Sequence, residues 1–388
     1  MHNRTVPGND LPTAVRVAHF HGQSGVDEYH LMISPTAYAD VATQSAWLSS
    51  AYRDVCATLG LEADSGVFRR IFCSDLPNQA PILATHFGNP DAACAVSWVT
   101  QPPVPPAKIA LWAYHVHASG SPLDKHQAGD TLALRRGELT HYWTTGITCP
   151  EVETSRLQTE GILANYRTLL HAHGLNMADH VVRTWFFVQN VDANYQGLVT
   201  ARREFFAENG LTPETHFIAS TGIEGTAANV AAKVMLDAYA IAGVRHEQIS
   251  FLAAPDHLCP THRYGVTFER GVAIAYRDRK HIMLSGTASI DHTGSIVHPG
   301  NVLKQLDRTL ENVSALLQQA GATAADVCLD IVYVRDPSDM AVARQMMEER
   351  CGNTPMQVVL APVCRPGWLI EVECEAIIPA NNPALPTF

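Results

Sequence analysis

One helical segment occurs three times along the chain, and this constrains the fold more than any other feature. The copies start at Gln44 (QSAWLSSAYRDVCATLG), Gln158 (QTEGILANYRTLLHAHG) and Gln305 (QLDRTLENVSALLQQAG). Each runs to a glycine, Gly60, Gly174 or Gly321, and the Gln-to-Gly spacing is 16 in every copy. In the third copy Leu303, Leu306, Leu310, Val313, Leu317 and Ala320 recur at intervals of three and four, the apolar stripe of an amphipathic helix. The glycines read as helix stops, because glycine accepts the left-handed conformation without strain.

A β-rich run follows each glycine: VFRRIFCS, VVRTWFFVQ and VCLDIVYVR. A second helix comes next, clearest in YQGLVTARREFFAENG and MAVARQMMEERCG. Each copy then ends in two strand-like runs joined by a turn, and strand pairs precede the second and third copies. The pattern predicts α+β modules at 1–120, 121–245 and 246–388, with ASGSPLDKHQAGD and GVRHEQISFLAAPDHLCPTH as the joints. A sheet covered by helices on one face must bury the other. Three modules in one chain can do so against each other, as a trimer would. Counting nine residues on from each glycine gives Arg69, Arg183 and Asp330, three charges expected near a pseudo-threefold axis, with Arg183 within reach of a ligand.

Composition narrows the functional classes. The chain has 388 residues, 46% of them hydrophobic and 17% charged, as a packed globular protein has. Its net charge of −11 argues against a general nucleic-acid binder. The first 20 residues hold no apolar core of signal-peptide length, and no run of about 18 apolar residues exists. A cytoplasmic protein with no membrane span is therefore the expectation. The nine cysteines are odd in number and form no CxxC pair, and the 19 histidines include no HExxH. No metal site and no cofactor is expected, and the cysteines read as reduced, mostly packed thiols.

The run WLIEVECEAI places Glu371, Glu373 and Glu375 on one strand face. Three carboxylates so placed repel one another and raise at least one pKa, and burial adds to the rise. A carboxyl kept neutral near pH 7 can act as a general acid; on pattern alone, a solvated acidic stripe is the favoured reading. Cys364 precedes Glu371 by seven residues across an Arg-Pro-Gly turn, so the two are expected on facing strands. Arg365 adjoins Cys364, and Arg202 lies on the second helix of module two. Ser220, Thr221 and Gly222, in IASTG, are candidates for a backbone nest that holds an anion.

The module pattern resembles the RidA/YjgF family, a trimeric α+β fold with sites between subunits. The likeness is carried by HIMLSGTASI and RPGWLIEVECEAI in module three, and by ADHVVRTWFFVQNVDANYQGLVTARREFF and THFIASTG in module two. The longer combination, APDHLCPTHRYGVTFERG leading into SGTASI, resembles the chorismatases, which use a RidA-like scaffold to remove pyruvate from chorismate. That likeness spans roughly residues 130–378. One departure sets the chain apart from the imine deaminases. The position of their carboxylate-binding arginine aligns with Gln357 in module three and His216 in module two.

By this resemblance Glu371 is the functional glutamate. Cys364 is the pocket cysteine of the branch that makes 3-hydroxybenzoate, where dienediol-forming relatives carry a smaller residue. Arg270, in FERG, falls at the site mouth, with Tyr264 and Gly265 just upstream. The resemblance implies a chorismatase releasing 3-hydroxybenzoate and pyruvate, acting as a monomer or small homo-oligomer. Other readings are a chorismatase giving 4-hydroxybenzoate, a mixture of the two, or the dihydroxycyclohexadienoate; an imine deaminase; and a small-molecule-binding protein.

Overall fold

The computed structural model describes residues 1–6, 11–88, 93–118, 120 and 122–388, without the side chain of Tyr264. Its elements repeat in one order. Module one has β1 (His2–Val6), β2 (Thr13–Phe20), β3 (Val26–Pro35), α1 (Val41–Leu59), β4 (Gly66–Cys73), α2 (Leu76–Phe87), β5 (Ala95–Thr100) and β6 (Ile109–Ala118). Module two has β7 (Asp124–Ala128), β8 (Thr131–Arg136), β9 (Leu139–Thr148), α3 (Ser155–Ala172), the short α4 (Met177–His180), β10 (Val181–Val188), α5 (Val191–Glu208), β11 (Ala219–Glu224) and β12 (Val234–Ala242). Module three has β13 (Ile249–Leu252), β14 (Gly271–Ala275), β15 (Arg279–Ala288), α6 (Val302–Gln319), β16 (Val327–Val334), α7 (Met340–Cys351), β17 (Met356–Leu360) and β18 (Ile370–Pro379). Among the described residues, no helix is long and apolar enough to cross a membrane.

The repeated Gln and Gly each have a structural cause. Gln44, Gln158 and Gln305 are fully buried and make the same clamp. The Gln44 amide donates to the carbonyls of Ala37 and Pro106, and its oxygen accepts from Lys108 N. Gln158 does this with Val152, Ala231 and Lys233, and Gln305 with His298, Gly367 and Leu369. Each clamp pins the start of the first helix to the loop before the last strand and satisfies backbone groups that burial would otherwise orphan. At the other end, Gly60, Gly174 and Gly321 sit at φ of 68°, 72° and 83°, the left-handed stop.

Each module forms one six-stranded sheet of identical topology: β1-β2-β3-β6-β4-β5, β7-β8-β9-β12-β10-β11 and β13-β14-β15-β18-β16-β17. The pairs β4/β5, β10/β11 and β16/β17 are parallel and the other neighbours antiparallel. Two details differ from the sequence reading. Both expected joints contribute an edge strand, β7 and β13, which are partly exposed and only five and four residues long, too short to stand out. The last two strands of each module do not form a hairpin, because the strand after the first helix lies between them. Cys364 therefore sits in the loop from β17 to β18 and not on a strand facing Glu371.

Helices cover one face of each sheet, and the other three faces pack on one another as a pseudo-trimer. Their shared core joins Phe68 and Trp112 of module one, Trp143, Trp185 and Tyr239 of module two, and Ile331 and Tyr333 of module three. Each junction also carries a dry ion pair. Arg70 meets Asp237 at 3.0 Å, Arg183 meets Glu373 at 3.0 Å, and Arg279 meets Glu28 at 2.5 Å. Tyr114 and His281 also hydrogen-bond Glu28, which holds its carboxyl well below the usual range against the cost of burial.

Arg69, Arg183 and Asp330 do not converge. The loop after Gly174 is one residue longer than its counterparts, so nine residues on from the glycine is a different strand position, pointing to the other side. Arg69 packs over the Tyr52 ring of α1, and Asp330 lies on the helical side with Cys351 and Cys374, where burial pushes it up to about 7. Only Arg183 reaches the inner junction.

Because Arg279 and Glu28 are both solvent-excluded, Arg279→Leu leaves a buried carboxylate without its main partner. Equilibrium denaturation is expected to show a loss of about 3–5 kcal/mol. A loss under about 1 kcal/mol, the range of a surface pair, would show that the junction is wet.

Candidate functional site

At the junction of modules two and three the sheets continue into one another through bridges from Ala219 to Glu269 and from Ile223 to Val363. Between these bridges lies a cleft lined by residues of both modules. Helix α5 supplies Tyr195 and Arg202, and β11 supplies Ser220 and Gly222. Module three supplies Phe268, Arg270, Gly286, Cys364, Arg365, Trp368 and Glu371.

Glu371 is 5% exposed. Burial, and then the charge of Glu373 two residues on, push it up to about 8 despite Arg270 and Arg183 nearby. Glu375 rises to about 8 for the same two reasons. Glu373 goes the other way. Burial opposes its charge, but Arg183 and Arg70, with hydrogen bonds from Thr221 (2.6 Å) and Trp185 (2.6 Å), hold it below the usual carboxylate range. Burial first, and then the one charged carboxylate, thus keep its two neighbours protonated.

Room for the Glu371 carboxyl comes from Gly286. A Cβ there would stand 1.9 Å from Glu371 Oε1 and 2.7 Å from its Cδ. Gly222 plays a similar part toward Tyr195, whose ring would lie 3.1 Å from an added Cβ. The Cys364 thiol is pushed up to about 12, first by burial and then by Glu371, while the Tyr195 side chain hydrogen-bonds it. Both groups therefore keep their protons near neutral pH.

Three arginines give the cleft its positive wall. Arg202 Nη1 reaches Ser220 Oγ at 3.4 Å, and Arg270 Nη2 donates to the Cys259 carbonyl at 2.9 Å. The Arg365 guanidinium lies 4.9 Å from the centre of the Trp368 ring. A neutral acid, a neutral thiol and three cations around an apolar floor suit a small anionic substrate that must receive a proton.

The structure thus gathers Glu371, Cys364, Arg270, Arg365, Arg202 and Gly222 in one cleft. Arg183 and Thr221 stand behind it, where Arg183 Nη2 contacts Thr221 Oγ1 at 2.7 Å and Thr221 donates to Glu373. Ser220–Gly222 form part of a strand and not a turn nest, and Ser220 N is taken by Ser285 Oγ at 2.8 Å. Gly265 caps a short turn at φ 84° just before the cleft-lining Val266; the Tyr264 side chain lies outside the described residues. Gln357 lies at the junction of modules three and one, bonded to Ser34, and His216 stacks on Phe251. The sequence reading missed Tyr195 and Trp368. Tyr195 was within reach, since it precedes Arg202 by two helical turns and shares its face.

The comparisons with known proteins follow this geometry. Residues 270–378 match the family model described as Endoribonuclease L-PSP. A RutC family protein of Pyrococcus abyssi is 35% identical over 97 residues, covering 25% of this chain and 76% of that protein. The 3-aminoacrylate deaminase RutC of Acinetobacter baylyi is 29% identical over 96 residues, covering 24% and 74%. Three sheets of RidA/YjgF type in one chain define the class of the fold. By its third module, the chain belongs to the RutC family. A solved chorismatase has the same fold across the modules: TM-score 0.62, 17% identity, 81% of this chain and 93% of that one.

Gly286→Ala must push the Glu371 carboxyl out of its place. We expect a destabilisation of about 1–3 kcal/mol, the cost of overpacking, measured by denaturant unfolding. Wild-type stability would mean that Glu371 has another rotamer open to it.

Proposed function

We propose that this protein is a chorismatase that converts chorismate to 3-hydroxybenzoate and pyruvate without a cofactor. The observation that carries the reading is the pairing of a buried, protonated Glu371 with the Cys364 thiol in a cleft walled by Arg202, Arg270 and Arg365. The shared fold with a chorismatase supports it.

In the proposed reaction the arginines hold the two carboxylates, and Glu371 gives its proton to the enolpyruvyl group. The neighbouring ring hydroxyl attacks the ring carbon that bears this group, and the C–O bond to the enolpyruvyl oxygen breaks. An epoxide-like intermediate forms, the hydroxyl proton is lost, and the enol becomes pyruvate. Loss of a ring proton as the epoxide opens then aromatises the ring. The two products together contain the atoms of chorismate, so no water is consumed. Cys364, which stays a thiol, fills the wall where water would otherwise attack and yield the dienediol.

Chromatography of products after incubation with chorismate tests the reading, and absence of pyruvate from folded protein would reject it. Glu371→Gln is expected to slow turnover at least ~100-fold, as loss of a general acid does. Only the protonated carboxyl is active, so kcat/KM should be flat below pH about 8 and fall as pH rises through that value. A rate that rises through the same range would assign Glu371 as a base.

Cys364→Ala is expected to shift product from hydroxybenzoate toward the dihydroxycyclohexadienoate, and an unchanged ratio would remove Cys364 from product control. The likeness to a 3-aminoacrylate deaminase favours imine hydrolysis as a second reading. Semicarbazide trapping of imines, with and without the protein, distinguishes the two.

A further inference from the structure

Away from the cleft, on the helical side of the first sheet, two histidines and an aspartate converge. His19 lies near the end of β2, and His21 follows just beyond the strand. The β2–β3 register pairs His19 with Tyr29 and Phe20 with Glu28, which puts Asp27 beside His21. His19 Nε2 lies 2.9 Å from Asp27 Oδ2, and His21 Nδ1 lies 2.9 Å from Asp27 Oδ1. The three ligand atoms fall within 4.8 Å of one another.

The site is already ordered. The His19 ring stacks on Tyr29 at 4.2 Å, and Gly22 N donates to Asp27 Oδ1 at 3.2 Å. A tetrahedral ion with bonds of about 2.0–2.1 Å holds its ligand atoms about 3.3–3.4 Å apart. The two histidine–aspartate contacts need to open by only a few tenths of an ångström to admit one. The His21 side chain is 73% exposed, which leaves a path for an ion and room for a water ligand.

We propose that His19, His21 and Asp27 form a binding site for a zinc-class divalent cation, with water in the fourth position. Two imidazoles and one carboxylate favour zinc over magnesium or calcium, which take oxygen ligands throughout. When the ion binds, the nitrogen of each ring that faces Asp27 gives its lone pair to the ion, and the ring proton sits on the other nitrogen. Its place in the fold gives it a structural effect. At the tip of the same hairpin, Ser24 N and Oγ donate to Asp278 of module three at 3.0 and 2.8 Å. Glu28, next to Asp27, points to the opposite face and takes Arg279. An ion on Asp27 fixes this hairpin where module one docks on module three.

Equilibrium dialysis of the full chain against zinc chloride tests the proposal. Wild type and the surface control His126→Ala should bind one ion per chain. His21→Ala and Asp27→Asn should bind at least about tenfold more weakly. His21 makes no core contact that its loss would disturb, so this variant should fold. At a hundredfold excess over Kd, zinc should raise the wild-type Tm by roughly 3–5 °C and leave that of His21→Ala unchanged. Wild-type affinity in His21→Ala would place the ion elsewhere in the chain and overturn the site, as would failure of wild type to bind at about 100 µM.

Discussion

Every feature of this molecule follows from one constraint: a six-stranded sheet with helices on one side has an apolar face left over. Three such faces, covalently linked, bury one another in a core that no single module could close. The charges that meet across the junctions are matched. Arg70 meets Asp237, Arg183 meets Glu373, and Arg279 meets Glu28, one pair per junction. Such pairs contribute little net stability, since desolvation offsets their attraction, but mispairing is costly. They therefore favour one docking of the modules over others that would bury the same area.

The candidate site draws its chemistry from this arrangement. Arg183 and Thr221 come from module two and keep Glu373 of module three ionised in the dry interior. That fixed negative charge, together with burial, is why Glu371 stays protonated. The acid in the cleft is thus set by its burial and by the charged Glu373 behind it. The thiol of Cys364 is kept neutral by the same low-polarity surroundings.

Much of the fold was legible in the sequence because its signals are local. The 16-residue spacing from Gln to Gly marks a buried clamp at one end of a helix and a left-handed stop at the other, both encoded in short segments. The edge strands β7 and β13 were not legible, since runs of five and four residues form a strand only when a neighbour offers its edge. The carboxylate alternation on β18 was read correctly, as period-two geometry requires no partner. What escaped was anything decided between modules. The placement of Cys364 depends on β16 entering between β17 and β18, and a loop one residue longer turned the supposed partners Arg69 and Asp330 away from Arg183. HxH at His19 and His21 was visible in the chain, but Asp27 joins it only through the register of β2 with β3.

The three sheets share a topology but differ in sequence, and this has a consequence for how such a protein can change. In an assembly of three identical subunits, any substitution appears at all three junctions at once and must be tolerated at each. Here Glu371 and Cys364 occupy one junction only, while the junction of modules three and one presents Ser34 and Gln357. Joining the modules into one polypeptide uncouples these places. A buried acid that would burden three interfaces burdens one, and the other two remain free to hold the structure together.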